Sequence, residues 1–290
     1  MTIVWPDTLA TELAERRCII FMGAGVSMGS VSADGLEHPP GWGVFLRGAL
    51  VAVTKRADKE YARKLIVAGQ FLDAAEVITE CSDQADFDQY LRRTFVQPRF
   101  AASEVHKIIL EMDPKIVITT NYDQIYDVYC NSGIAQSGYN IANYSDKFVV
   151  ENIRSRVRLI IKAHGCVSDP RSIVLSRSSY YRARRDHPGF YNVLDALFLT
   201  NTLLFLGCSL TDPDIQLVLE NANISAPSSH PHYALVEKSD HRSIKAAIKA
   251  THNIELIEYP KGRHDVAKSG LEALKDKVIE ARTRAISAKF

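Results

Sequence analysis

The sequence predicts an α/β fold: a parallel sheet with helices on both faces and a helical insertion after the first strand. Three observations predict it. Nearly continuous apolar runs such as 18–22, 115–119 and 202–206 are too short for helices and lack polar alternation, the pattern of strands buried on both faces. Segments with helical periodicity fill the intervals between them. The runs end in glycine or small polar residues, at the point where an open parallel sheet places its ligand crevice.

Residues 7–17 predict a short helix, with Asp7 or Thr8 as cap and Leu9 and Leu13 on one face. The first strand, 18–22, runs into Gly23-Ala24-Gly25-Val26-Ser27. Glycines there let the backbone approach a ligand closely and aim N–H groups at a phosphate, although a tight turn needing positive φ explains them equally well. Met28–Pro40, rich in Ser, Gly and Pro, predicts a loop placed to fold over whatever binds at the turn. From Gly41 to Asp113 the pattern is helical throughout. Its stripes are Trp42, Phe45, Leu46 and Leu50; Leu65, Phe71, Ala75 and Ile78; and Phe87, Leu91 and Phe95.

Strand character returns at 115–119, after Pro114, and again at 157–163, which ends at His164-Gly165; a shorter strand is expected at 173–175. Helices fill 176–200, and a strand follows at 202–206. A helix starts near Asp212-Pro213, where proline suits the first turn. Strand 232–236, helix 240–251, strand 254–258 and helix 266–286 complete the pattern. No internal repeat interrupts it.

Composition narrows the function classes. With 35 basic and 34 acidic residues, no global field draws the chain to nucleic acid or membrane, so direct binding to either is not expected. The basic clusters 154–156 and 182–185 read as solvated faces. Five cysteines, an odd number with no Cys-x-x-Cys pair, fit a reducing compartment and neither a disulfide framework nor a zinc ribbon. No signal peptide and no apolar stretch of membrane-spanning length are visible. The expectation is a cytoplasmic protein.

Several strand ends carry chemistry-bearing residues. The first ends in the glycine turn, the second in Thr119-Thr120-Asn121-Tyr122-Asp123, the third in His164-Gly165. The 202–206 strand ends in Gly207-Cys208-Ser209-Leu210-Thr211-Asp212-Pro213-Asp214. Each alone has a bland explanation. Asn121, Asp123, Ser209 and Asp212 are good helix caps, and His164 can be a packed histidine satisfied by backbone. Their conjunction at the ends of one sheet points instead to a site.

These motifs resemble the sirtuin family. Gly23-Ala24-Gly25-Val26-Ser27 is similar to its glycine turn, Thr120-Asn121-Tyr122-Asp123 to its Asn-x-Asp motif, His164-Gly165 to its catalytic His-Gly, and Gly207-Cys208-Ser209 to its late Gly-x-Ser. The longer forms 119–123 and 207–213 look more like the bacterial sirtuin-like NADase branch than the deacylases. Two departures point the same way. The two Cys-x-x-Cys pairs of the deacylase zinc ribbon are missing, and Ser27-Met28-Gly29-Ser30-Val31 stands where deacylases carry Pro-Asp-Phe-Arg.

The resemblance implies one sirtuin-like domain over 1–290. Within it, 18–27 and 114–286 form a Rossmann-like NAD-binding part and 41–113 a helical insertion module. NAD⁺ is the implied substrate, and no metal is expected. Gly23, Ala24, Gly25 and Ser27 would take the diphosphate through backbone N–H groups. Asn121 would orient the nicotinamide ribose and the attacking water, Asp123 would hold the carboxamide or a ribose hydroxyl, and His164 would act as base. Thr120, Gly207, Ser209 and Asp212 would complete cofactor binding, with Ser209 on the phosphate or adenosine side. The implied reaction is hydrolysis of NAD⁺ to ADP-ribose and nicotinamide by the NAD-depleting effector of a bacterial antiphage system. Its control would come from a homo-oligomer, or from a companion such as a DNA-translocating ATPase or an Argonaute-type protein. An NAD-dependent protein deacylase and a non-catalytic NAD or ADP-ribose sensor are the alternatives, and ADP-ribosyl transfer is chemically open as well.

Overall fold

Seven parallel strands form the sheet of the computed structural model, which describes residues 3–133, 138–226, 230–238 and 241–287. In chain order they are β1 (Cys18–Met22), β2 (Ile116–Thr119), β3 (Tyr139–Asn143), β4 (Arg158–Lys162), β5 (Thr202–Leu206), β6 (His232–Glu237) and β7 (Ile254–Tyr259). The spatial order is β3-β4-β2-β1-β5-β6-β7. The order therefore reverses at β1, which pairs with β2 on one side and β5 on the other. A ligand crevice at the carboxyl ends is expected at such a switch point.

Every residue of β1 and β5 is buried, as the apolar runs predict for strands covered on both faces. The two-residue period of the strand divides their side chains. Ile20 and Met22 join the layer that contains α1 (Asp7–Ala14), α7 (Glu104–Met112) and α14 (His264–Ser287). Ile19 and Phe21 join the opposite layer, with α11 (Pro188–Thr200) and α12 (Pro213–Ser225). The Rossmann-like α/β architecture is thus the one expected.

Between β1 and β2 lie α2 (Ala24–Ser27), α3 (Trp42–Ala49), α4 (Arg56–Val67), α5 (Phe71–Cys81), α6 (Gln84–Phe95) and α7. Phe45, Leu46, Ile66, Ile78 and Leu91 from α3–α6 share a separate core with Cys166, Val167 and Leu175, which follow β4. The helical insertion therefore rests on the segment that follows His164. The loop 28–40 is cross-tied as well: Val31 bridges Ala101, and Ala33 donates to the Pro98 carbonyl at 3.1 Å.

Three expectations are corrected. Residues 173–175 form no strand; they follow a 3₁₀ turn at Pro170–Ser172, and the Val174 N–H donates to the His164 carbonyl at 3.0 Å. Val174 and Leu175 are buried under helices, so their apolar run reflects packing outside the sheet. Strand β3 was not expected, because Tyr-Asn-Ile-Ala-Asn at a sheet edge buries only Tyr139 and Ala142 and has no apolar run. The 7–17 helix stops at Ala14, since Arg16 turns left-handed at φ 60°. Elsewhere boundaries move by a few residues: 176–200 is two helices, α10 (Arg177–Asp186) and α11, and α13 spans Arg242–His252. Residue 240, where that last helix was expected to begin, lies outside the described residues.

Candidate active site

The carboxyl ends of the strands open into one cavity of about 600 Å³. Gly23, Ala24, Gly25 and Ser27 line it after β1, and Thr120, Asn121 and Asp123 after β2. His164 reaches it from β4, and Gly207, Ser209 and Asp212 from β5. The structure thus brings every residue singled out from the sequence to one cavity.

Backbone contact explains the glycines. A Cβ on Gly23 would stand 2.5 Å from the Gly207 carbonyl oxygen, and one on Gly207, whose φ is +64°, would stand 2.5 Å from the Val26 nitrogen. The Gly23 N–H donates to Leu206 and the Gly25 N–H to Gly207, at 2.9 and 3.0 Å. Those two N–H groups are therefore committed to the end of β5. The turn offers a ligand close approach along its glycine backbone, with these two donors already used.

Asn121 is tied to the same turn. Its Nδ2 donates to the Gly23 carbonyl and to Ser27 Oγ, both at 3.0 Å. Because the Gly23 carbonyl can only accept, the amide nitrogen must face it. Asp123 Oδ1 accepts from the Ile125 N–H at 3.1 Å, capping the entry to α8 (Ile125–Asn131).

Beneath this loop lies a buried cation that the sequence reading passed over. Lys162 is 1 % exposed; its Nζ donates to the Asp123 carbonyl and lies 3.3 Å from Asp127 Oδ2. Burial opposes its charge, but Asp127, Cys166 and Asp123 together more than offset that and hold the ammonium above the usual lysine range. A lysine inside the apolar run Leu-Ile-Ile-Lys-Ala was the available signal. His106 on α7 is also buried. Its Nδ1 accepts the Ser103 N–H at 3.1 Å, and burial lowers it from 6.5 to about 4.

His164 is 4 % exposed, and its Nε2 stands 3.5 Å from Asp212 Oδ2. The Tyr180 ring lies edge-on to the imidazole at 5.0 Å between centroids. Gly165, at φ +80°, turns the chain directly behind it, where a Cβ would collide with the Ser172 carbonyl. In the Gly207–Asp212 loop, Ser209 Oγ shares a hydrogen bond with Thr211 Oγ1 at 2.7 Å. Leu210 sits at φ 57°, a strained backbone for a leucine, held by Gln216 Nε2 donating to its carbonyl at 2.9 Å.

The cavity also has an aromatic wall. Trp42, Phe45 and Phe95 come from the helical insertion, Tyr122 packs against Phe45 and Phe95 from the loop after β2, and Tyr180 comes from α10. Three of these had appeared only as helix stripes, because core-facing and cavity-facing aromatics share one periodicity. Cavities with apolar walls and a few converging polar groups are the usual form of small-molecule sites. Among the described residues, no cluster of His, Cys, Asp and Glu is arranged to hold a metal ion.

A switch-point crevice floored by interlocked glycines, with an amide and an imidazole at neighbouring strand ends, belongs to an α/β fold of Rossmann type. Residues 115–257, from β2 through most of β7, match the sequence family described as SIR2-like domain. Over this stretch, just under half of its length, the chain is similar to that family. It is also similar to NAD(+) hydrolase ThsA of Enterococcus faecium, 27 % identical over 228 residues that cover 76 % of this chain and 43 % of that protein. ThsA of Bacillus cereus is 24 % identical, covering 80 % of this chain and 45 % of its own length. Defense-associated sirtuin 2 of Bacillus subtilis is 26 % identical over 209 residues, 70 % of this chain and 19 % of that protein. The chain therefore spans less than half the length of these relatives.

Proposed function

We propose that this chain hydrolyses NAD⁺ at the nicotinamide–ribose bond, giving ADP-ribose and nicotinamide. The observation that carries the proposal is that Asn121 and His164 open on the same cavity as the Gly23–Gly25 turn. The turn and the Gly207 loop accommodate the diphosphate by close backbone approach, with Ser209 and Thr120 at its flanks. The aromatic wall receives the nicotinamide. When the C1′–N bond breaks, its electron pair returns to the pyridinium nitrogen, so nicotinamide leaves neutral. The ribose passes through an oxocarbenium-like state that the Asp123 carboxylate favours. Water held by the Asn121 carbonyl oxygen attacks C1′, and its proton passes to the His164 imidazole.

Two further observations support the reading. Relatives along most of this chain carry the name NAD(+) hydrolase, and neither half of a deacylase zinc ribbon is present in the sequence. We also assign the chain, as a single functional domain over 1–290, to the NAD-depleting arm of a bacterial antiphage system, on the strength of the defense-associated relative. A cytoplasmic setting fits its five free thiols. Control by self-assembly, or by a companion such as a DNA-translocating ATPase or an Argonaute-type protein, follows from the sirtuin resemblance and is tested by the mass of the native assembly.

The deciding experiment incubates the purified protein with NAD⁺ and follows nicotinamide and ADP-ribose by chromatography. Release without any acyl peptide is expected. His164→Ala and Asn121→Ala each lower it by about 10²-fold or more. Full activity in both variants sinks the assignment, strict dependence on an acetyl-lysine peptide returns the deacylase, and binding without turnover returns the sensor.

A further inference from the structure

Asp212 does a different job from the cofactor contact that its motif implies. Its carboxylate has about four acceptor positions, and hydrogen bonds within the protein fill three of them. Oδ1 accepts the N–H groups of Asp214 and Ile215, both at 3.1 Å, which caps α12. Oδ2 accepts the Tyr180 hydroxyl at 2.8 Å and stands 3.5 Å from His164 Nε2. The one position left lies on Oδ2, the oxygen that approaches His164 Nε2.

The supports of this carboxylate are themselves fixed. Tyr180 is buried on α10, so its hydroxyl keeps its proton and donates. Two residues on, Asp214 is buried and held by the Tyr191 hydroxyl at 2.7 Å and by Arg184. A helix N-terminus and a tyrosine thus place Asp212 Oδ2 against the imidazole.

We propose that Asp212, braced by Tyr180, is a positioning residue that acts through His164, holding the imidazole as the Nε2–H tautomer so that Nδ1 is the nitrogen that takes the proton. The contact rests on geometry alone, while its catalytic meaning rests on the hydrolase reading above. A carboxylate can only accept, so an imidazole nitrogen turned toward it must carry the hydrogen. As Nδ1 gains the proton from water, the imidazolium forms beside a fixed negative charge and needs no rearrangement. A third group that orients the base is the recurrent arrangement of nucleophile-activating sites.

Asp212→Asn tests this without removing the helix cap, since asparagine caps as well as aspartate. With its oxygen kept by the Asp214 and Ile215 N–H groups, the new amide presents NH₂ to the imidazole and selects the opposite tautomer. Two measurements read the outcome. Imidazole ¹⁵N NMR of the ligand-free protein, with His164 assigned by comparison with His164→Ala, should show Nε2–H in the parent and Nδ1–H in Asp212→Asn. Steady-state kinetics should show kcat for nicotinamide release falling by about 10²-fold or more, with KM within about threefold. Tyr180→Phe should lower kcat by about threefold to tenfold while leaving the tautomer unchanged.

An unchanged tautomer and an unchanged kcat in Asp212→Asn would make Asp212 a helix cap only and overturn the proposal. A raised KM at constant kcat would return it to cofactor binding, with the same consequence. If the parent protein turns over no NAD⁺, the hydrolase reading falls, and the tautomer measurement alone decides the contact.

Discussion

The Asn121 side-chain amide donates to the Gly23 carbonyl at 3.0 Å, joining the loop after β2 to the glycine turn after β1. Its second hydrogen goes to Ser27 Oγ. Both donors are thereby spent inside the protein, so in the proposed reaction it is the carbonyl oxygen that takes part. Ser27→Ala removes one anchor and keeps the other. Its expected effect is a loss of about 1 kcal/mol in stability, with nicotinamide release reduced but not abolished. Urea unfolding and a turnover assay on the same preparation check this; activity as low as that of Asn121→Ala would show that the Gly23 contact cannot hold the amide alone.

Lys162 and Asp127 form a buried ion pair directly under that loop. Lys162→Met leaves Asp127 as an uncompensated buried carboxylate, at an expected cost of about 3–5 kcal/mol. Replacing both residues, with Lys162→Met and Asp127→Leu, should recover much of the loss, because no buried charge is then left alone. Denaturant midpoints of the two single variants and the double variant read this directly. A double variant no more stable than Lys162→Met would contradict the pairing.

Gly207 and Gly35 both have positive φ, at +64° and +79°, but only Gly207 is crowded. Alanine at Gly35 meets open space and should cost about 1–2 kcal/mol, the expense of a left-handed backbone alone. Alanine at Gly207 must in addition push its Cβ into the Val26 backbone, so both stability and NAD⁺ binding should fall further. Thermal melts with and without NAD⁺ separate the two variants; equal effects would mean that the interlocked turn yields easily.

His106 and His232 are both buried and both depressed by that burial to about 4. Since the unfolded chain takes up these protons near 6.5, the stabilisation is complete above that pH. It is lost as pH falls from about 6.5 to 4, by up to about 3 kcal/mol per group. His106→Gln keeps an acceptor for the Ser103 N–H and removes one titration. Its unfolding free energy should decline less steeply across that window than the parent's. Parallel pH dependences would place the acid sensitivity elsewhere.

The sheet, its covering helices and the residues around the cavity were legible in the sequence because they depend on short-range requirements. A strand buried on both faces must be apolar along its length, as β1 and β5 are. Backbones that approach as closely as Gly23 and Gly207 exclude a Cβ. The ends of parallel strands converge whatever lies between them, so Asn121 and His164 could be placed together from their positions alone. Edge strand β3 was not legible because it buries only Tyr139 and Ala142 and so carries no apolar run, and 173–175 imitated a strand because apolar packing under the helical insertion selects the same residue types. Tertiary structure alone decided what each polar group touches. Asp212 reads locally as a helix cap, and it is one; that its second oxygen also meets His164 and Tyr180 depends on how α10 and α12 pack beside β4. Lys162 shows the same division, since a lysine in an apolar strand signals an anomaly while its partners, Asp127 and the Asp123 carbonyl, come from another element. The physical reason is that periodicity and turn chemistry act over a few residues, whereas hydrogen-bond partners are set by distances that only the packed chain defines.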